Sequence, residues 1–361
     1  MPLRPKSINR LRYSCLPPGS NVLQLKNHSP FEPAITLFPD EKGVDTLYVI
    51  IKATFNLSPA LSIAEQQIPP TLEDEYWGEP GLSSIKYASD MHLTKPSTDV
   101  VLVGRAWVPQ QQQASQLDVR LAVAEKQKTL RIFGNRCWQN GSISSPQPFQ
   151  SMPIVYEYAF GGKHEIDPDK EEILAEGRNP IGRGFRGKRD ARELEGMPLP
   201  NVEDPQCLVT SDGDKTSPAG FAFVSPAWLP RRSFAGTYDE TWQKQRAPYL
   251  PEDFNPRFFN VAHPDFTFER YLQGGEPVAL DNLSQYGPIQ FTLPICRLEA
   301  RVRVAGKTET PPLNLETVLI EPEFNRLCMT WRGAVPCDKK ALKVEQIDVN
   351  LLDLQFAGGS A

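Results

Sequence analysis

Histidine is scarce in this chain of 361 residues: His28, His92, His164 and His263 are all there are, and no two form an H-x-x-x-H pair. A zinc site would need ligands drawn from distant parts of the sequence, so no metal is expected. The six cysteines (Cys15, Cys137, Cys207, Cys296, Cys328 and Cys337) include no C-x-x-C. Without a secretory signal, reduced thiols are the default. Long hydrophobic runs are missing too. The most apolar stretch, Leu47 to Leu57, is interrupted by Lys52 and falls far short of the ~20 residues that cross a bilayer. The amino terminus is basic but has no apolar core, and Cys15 lacks the preceding apolar run of a lipoprotein signal. These absences predict a soluble, cytoplasmic chain with no membrane association.

The familiar catalytic signatures are absent as well. There is no G-x-S-x-G, no P-loop and no H-E-x-x-H. Nothing calls for an enzyme or a cofactor. A net charge of −5 exerts no global pull on nucleic acid or anionic membranes. No fixed-period repeat is present.

Proline is abundant instead, at 35 residues. It works against long helices and central strands and favours short strands joined by fixed loops. Strands are predicted at Val22–Leu25, Ala34–Phe38, Thr46–Leu57, Thr98–Val108, Leu117–Ala124, Thr129–Gly134 and Ile154–Phe160. Further on come Ile289–Leu293, Arg297–Val304, Thr317–Ile320, Arg326–Trp331 and Val344–Leu354. Lys52 reads as a solvated or rim position, Gln110 to Gln113 as a hairpin tip, and Glu125 to Lys128 as a turn. The clearest helix is Asp167 to Gly177, with Asp167 as N-cap, Pro168 at N1 and Gly177 as its stop. The fold class is mainly β, an antiparallel sandwich-like architecture with long ordered Pro/Gly-rich loops and a few short helices. The division is 1–165, 166–285 and 286–361, or one large domain.

The centre of the chain, Leu199 to Asn260, holds ten aromatics among many prolines and glycines, with little periodicity. Such loops are functional or disordered, and the aromatic content argues for order. Thr237 and Glu240 form a capping box for a short helix over Asp239 to Gln245. Upstream, Asn179 to Arg189 contains G-x-G-x-x-G, but the expected surface helix and Asn179-Pro180 precede it in place of a strand, so no dinucleotide turn is inferred. Arg178, Arg183, Arg186, Lys188, Arg189 and Arg192 surround Phe185. This patch suits an acidic protein partner, or nucleic acid with steep salt dependence. His92 and Lys95 could bind an anion, although a satisfied histidine and a solvated lysine are the plainer reading. The acid pairs, Asp239 and Asp253 among them, leave open a β-sandwich enzyme or binding protein acting on glycans.

Several stretches resemble a bacterial family of type VI secretion accessory proteins that act as adaptors. They are NHSPF (Asn27 to Phe31), KATF (Lys52 to Phe55), HLTKPSTDVVLVGRA (His92 to Ala106) and MPIVYEYAFGG (Met152 to Gly162). NPIGRGF (Asn179 to Phe185), LPNVEDP (Leu199 to Pro205), PAGF (Pro218 to Phe221), Arg231 to Asn260 and EPEFNRLCMTWRG (Glu321 to Gly333) extend the match along nearly the whole chain. The resemblance implies an adaptor that helps load a toxic effector, often carried on a PAAR-type tip protein, onto the VgrG spike. It implies no catalytic residues. On this reading the contact residues are Trp228, Arg231, Arg232, Tyr238 and Trp242, with Arg183, Arg186, His92 and Lys95 in support.

Overall fold

TLYVIIKATF, the stretch richest in β-branched and aromatic residues, forms most of the strand Asp45–Asn56, and every residue between its two ends is buried. Alternation disappears because both faces are covered. In this computed structural model, which describes residues 24–170, 172–214, 216–337 and 343–356, the strand lies near the middle of a six-stranded sheet. It pairs antiparallel with Glu32–Pro39 on one side and Arg326–Pro336 on the other. Arg326–Pro336 pairs in turn with Asn314–Glu321, which takes Asp99–Leu102 as a parallel neighbour. Ser62–Ile63 adds a short sixth strand.

A five-stranded sheet runs Val202–Glu203, Lys126–Phe133, Gln116–Val123, Pro277–Asp281, Ile289–Thr292, with every pairing antiparallel. A four-stranded sheet contains Gln24–His28, Val344–Gln355, Ile295–Val304 and Lys307–Glu309, with only the first pair parallel. The protein is thus mainly β, with several mostly antiparallel sheets. Among the described residues the one α-helix is Glu240–Gln245, and no helix is long and apolar enough to cross a membrane. One apolar cluster gathers side chains from all three sheets, such as Val49, Leu121 and Ile347. Burying each such side chain contributes roughly 1.5–3 kcal/mol. The five described cysteines are free thiols; Cys15 and Val22 lie outside the described residues.

Several expectations are corrected. Lys52 is not solvated: it is buried and its ammonium lies 2.9 Å from Asp90. The helix expected over 167–177 is a β-hairpin of Lys163–Asp167 and Glu172–Ala175. Asp167 still caps a turn, accepting from the Asp169 N–H at 3.1 Å, but the turn Pro168–Lys170 ends at once. Helix nucleation is costly, and the residues on either side pair with each other instead. In Ile154–Phe160 the chain instead makes a 3-10 turn at Tyr156–Tyr158, and the Asn179 amide donates to the carbonyls of Tyr156 and Phe160. The strand expected over 98–108 breaks at Val103–Gly104, and Arg105–Trp107 joins Ser151–Pro153 in a separate pair. Gln110 and Gln111 belong to a 3-10 turn between strands of different sheets, not to a hairpin tip. The true hairpin turn is tighter than expected, at Ala124–Glu125, with Ala124 at φ 50°.

Candidate partner-binding site

The stretch around His92 and Lys95 folds inward. Lys95 is buried, its ammonium 2.8 Å from Asp99 and 2.9 Å from the Thr317 hydroxyl. Asp99 also accepts from the Val261 N–H at 2.7 Å and the Asn260 amide at 3.1 Å. The Lys95 N–H donates to Glu316 at 2.8 Å, and Glu316 pairs with Arg332 at 2.7 Å. Arg332 donates onward to the carbonyl of Asp90, the residue that holds Lys52. Lys95 is therefore a structural group, because a buried charge persists only when paired and hydrogen-bonded. His92 is no anion site either. Its Nδ1–H donates to the Leu93 carbonyl, its Nε2 accepts from Arg332 at 3.3 Å, and its ring stacks on Phe259. Burial first, then the Arg332 and Lys95 cations, hold it well below the ordinary histidine pKa, so the ring is neutral. Sequence reading missed Asp90, Asp99, Glu316 and Arg332. The signal for three of them was a charge set inside an apolar strand, as in DVVLV, ETVLIE and TWRGAV.

Two of the expected contact residues are interior. Trp228 is buried, edge-on to Tyr156 at 5.5 Å between ring centres. Arg231 is also buried, its Nε donating to the Phe258 carbonyl at 3.0 Å and its Nη1 to that of Val224 at 2.5 Å. Both hold the central loop in place. Arg183 and Arg186 are engaged as well. Arg183 lies over the Tyr158 ring and donates to Asn201, while Arg186 pairs with Asp212 at 2.6 Å. Arg178 and Lys188 likewise pair with Glu176 and Glu172, which neutralises much of the basic patch.

The rest stay outside. Arg232 and Tyr238 are exposed and Trp242 is half-buried, its ring meeting that of Tyr238 edge-on at 4.7 Å. Their path is pinned at several points. The Trp242 indole N–H donates to the Tyr249 carbonyl at 2.8 Å, and Arg246 reaches the Glu41 carbonyl at 2.8 Å. The helix N-cap is Asp239, which accepts from the Trp242 N–H at 2.8 Å. Thr237, expected as the cap, is diverted: its N–H and hydroxyl both donate to Asp253.

Beside this surface lies a pocket of about 440 Å³. Arg231, Lys126 and Arg257 line it together with Phe234, Phe268, Asn260 and Glu269. Lys126 sits over the Phe268 ring at 5.4 Å and Arg257 over Phe234 at 4.7 Å. A neighbouring pocket of about 340 Å³ differs in that its Lys128 already bridges Asp204 and Asp265. No group of three or more potential metal ligands occurs among the described residues.

A family model described as an uncharacterized protein conserved in bacteria (DUF2169) matches residues 42–332. The chain belongs to that family. No curated protein and no solved structure matches it. The DUF2169 region includes the G-x-G-x-x-G stretch, which serves packing. Arg183–Gly184 pairs parallel with Phe160–Gly161, and a Cβ on Gly182 would lie 2.6 Å from the Ala159 carbonyl oxygen. Gly184, at φ 88°, faces Pro200 so closely that a Cβ would fall 2.8 Å from its ring. The DUF2169 match also takes in every lining residue of the cationic pocket. Lys126 and Arg257 went unnoticed in the sequence because one sits at a hairpin turn and the other among phenylalanines that read as packing.

Proposed function

We propose that this chain is a cytoplasmic adaptor of type VI secretion. It binds a toxic effector, or the PAAR-type tip protein that carries one, and helps load it onto the VgrG spike. The observation that carries this reading is the surface around Arg232, Tyr238, Trp242 and Tyr249, where rings stand exposed on a backbone pinned from several sides. A surface already fixed in shape loses little entropy on association, and Trp, Tyr and Arg anchor protein interfaces most often. The motifs resembling type VI accessory proteins support the same reading and supply the identity of the partners.

Glycan chemistry at Asp239 and Asp253 finds no such support. Asp239 caps a helix. The N–H and hydroxyl of Thr237 hold Asp253 below the usual carboxylate range, the opposite of what a general acid needs.

The test is co-expression with the tip or effector protein encoded beside it, followed by co-purification. Arg232→Glu with Tyr238→Asp should leave the melting temperature unchanged and cut recovery of the partner by roughly tenfold. Equal recovery would remove this surface from the interface. Failure of the unaltered chain to retain either protein would overturn the adaptor reading itself.

A further inference from the structure

We propose that the pocket lined by Lys126, Arg231 and Arg257 is the anchor point for an acidic segment of the partner protein, taking Asp or Glu side chains. The proposal rests on the adaptor reading for its partner and on the pocket's own chemistry for its ligand.

Arg231 is the residue that stands out. The other buried arginines, Arg136 and Arg332, each hold a carboxylate, from Glu203 and Glu316 respectively. Arg231 has no carboxylate within pairing distance among the described residues: its Nε and Nη1 donate to carbonyls. Burial pushes its pKa down to about 10, and the Asp99 and Asp74 carboxylates, beyond pairing distance, offset this only in part. Lys126 and Arg257 line the same pocket, each over an aromatic ring and neither in an ion pair among the described residues. Against these three positive groups the lining offers one carboxylate, that of exposed Glu269. The excess of positive charge exceeds what one terminal carboxylate would neutralise, so it fits a run of acidic side chains.

A second observation narrows the ligand. Asn260, buried in the wall of the pocket, leaves its Oδ1 without a donor. The amide orientation is set by Nδ2, which donates to Ser97 and Asp99. An unpaired buried acceptor calls for an N–H or O–H from whatever binds. A peptide supplies an amide N–H beside its carboxylates, whereas a phosphodiester backbone supplies acceptors alone. The volume lies within the ~300–1,000 Å³ usual for ligand pockets.

The probe is a short fluorescein-labelled peptide alternating glutamate and alanine, amidated at its C-terminus, titrated against the full chain by anisotropy. Saturable binding is expected, reduced at least roughly tenfold by Lys126→Glu with Arg257→Glu and by replacing the peptide's glutamates with glutamines. If the double reversal lowers the melting temperature, Lys126→Gln with Arg257→Gln carries the same test. No binding, equal binding of the glutamine peptide, or stronger binding of a single-stranded oligonucleotide overturns the proposal. Co-purification separates this proposal from the adaptor reading. If the unaltered chain and the charge-reversed chain retain the partner equally, the pocket proposal fails and the adaptor stands. If the unaltered chain retains no partner, the adaptor reading fails, and the peptide titration still decides the pocket.

Discussion

His92 shows how burial turns a titratable side chain into a pH sensor of stability. Its pKa in the folded chain is depressed by burial and by Arg332, Lys95 and Arg231, so the fold admits only the neutral ring. In the unfolded chain the same residue takes a proton near pH 6.5. Above that pH both states carry a neutral ring and His92 costs nothing. As pH falls below it, the unfolded state binds the proton first and stability drops, until the lower folded pKa is reached. His263 behaves alike, held low by burial and by Lys128, so the wild-type chain loses stability through more than one group. Replacing His92 with Gln isolates one of them. Urea unfolding between about pH 7 and 5 should show a slope shallower by up to ~1.4 kcal/mol per pH unit in His92→Gln. Identical slopes would mean that His92 is protonated within the fold.

The elements divide into those that local sequence decides and those that long-range partners decide. The strand Asp45–Asn56 was legible because ten consecutive buried positions leave a run that only a central strand explains. The hairpin at 163–175 was not legible. Asp167, Pro168 and the acids after them are true helix-start signals, yet the pairing that overrides them depends on the register of His164 with Leu174. The contact residues failed for a related reason. Arg231 and Arg232 are neighbours of one type, and only the tertiary fold sends one inward and the other out. Lys95 looked like part of a polar stretch and Asp99 like the start of the strand after it, whereas together they join three elements: Asp99–Leu102, Asn314–Glu321 through Thr317, and the loop at Val261. Asp99→Ala would leave the Lys95 ammonium buried and the Val261 N–H without its acceptor. The expected loss is about 3–5 kcal/mol in urea unfolding, with faster amide exchange at 260–267 than in the rest of the chain. A loss under about 1 kcal/mol would show that water reaches Lys95.

At the scale of the molecule, the sheets ignore the order of the chain. Asp45–Asn56 pairs with Arg326–Pro336, Asp99–Leu102 with Asn314–Glu321, and Lys126–Phe133 with Val202–Glu203. Each pairing crosses a boundary that composition alone suggests, at about 165 or 285. The DUF2169 match, residues 42–332, begins just before one central strand and ends within the other. A chain cut after residue 285 would keep Asp45–Asn56 but lose its neighbour, exposing a long apolar edge with unpaired N–H and carbonyl groups. It would also lose Glu316 and Arg332, leaving Lys52 and Lys95 in a network with half its partners. The 1–285 fragment should therefore aggregate or remain unfolded, with no cooperative thermal transition, while the full chain melts in one step. Restoring the missing strands as a separate 286–361 chain should rescue solubility only when both are made together. A monomeric, cooperatively melting 1–285 fragment would show that the first two thirds hold a core of their own, and that the central strand pairing joins two independent units.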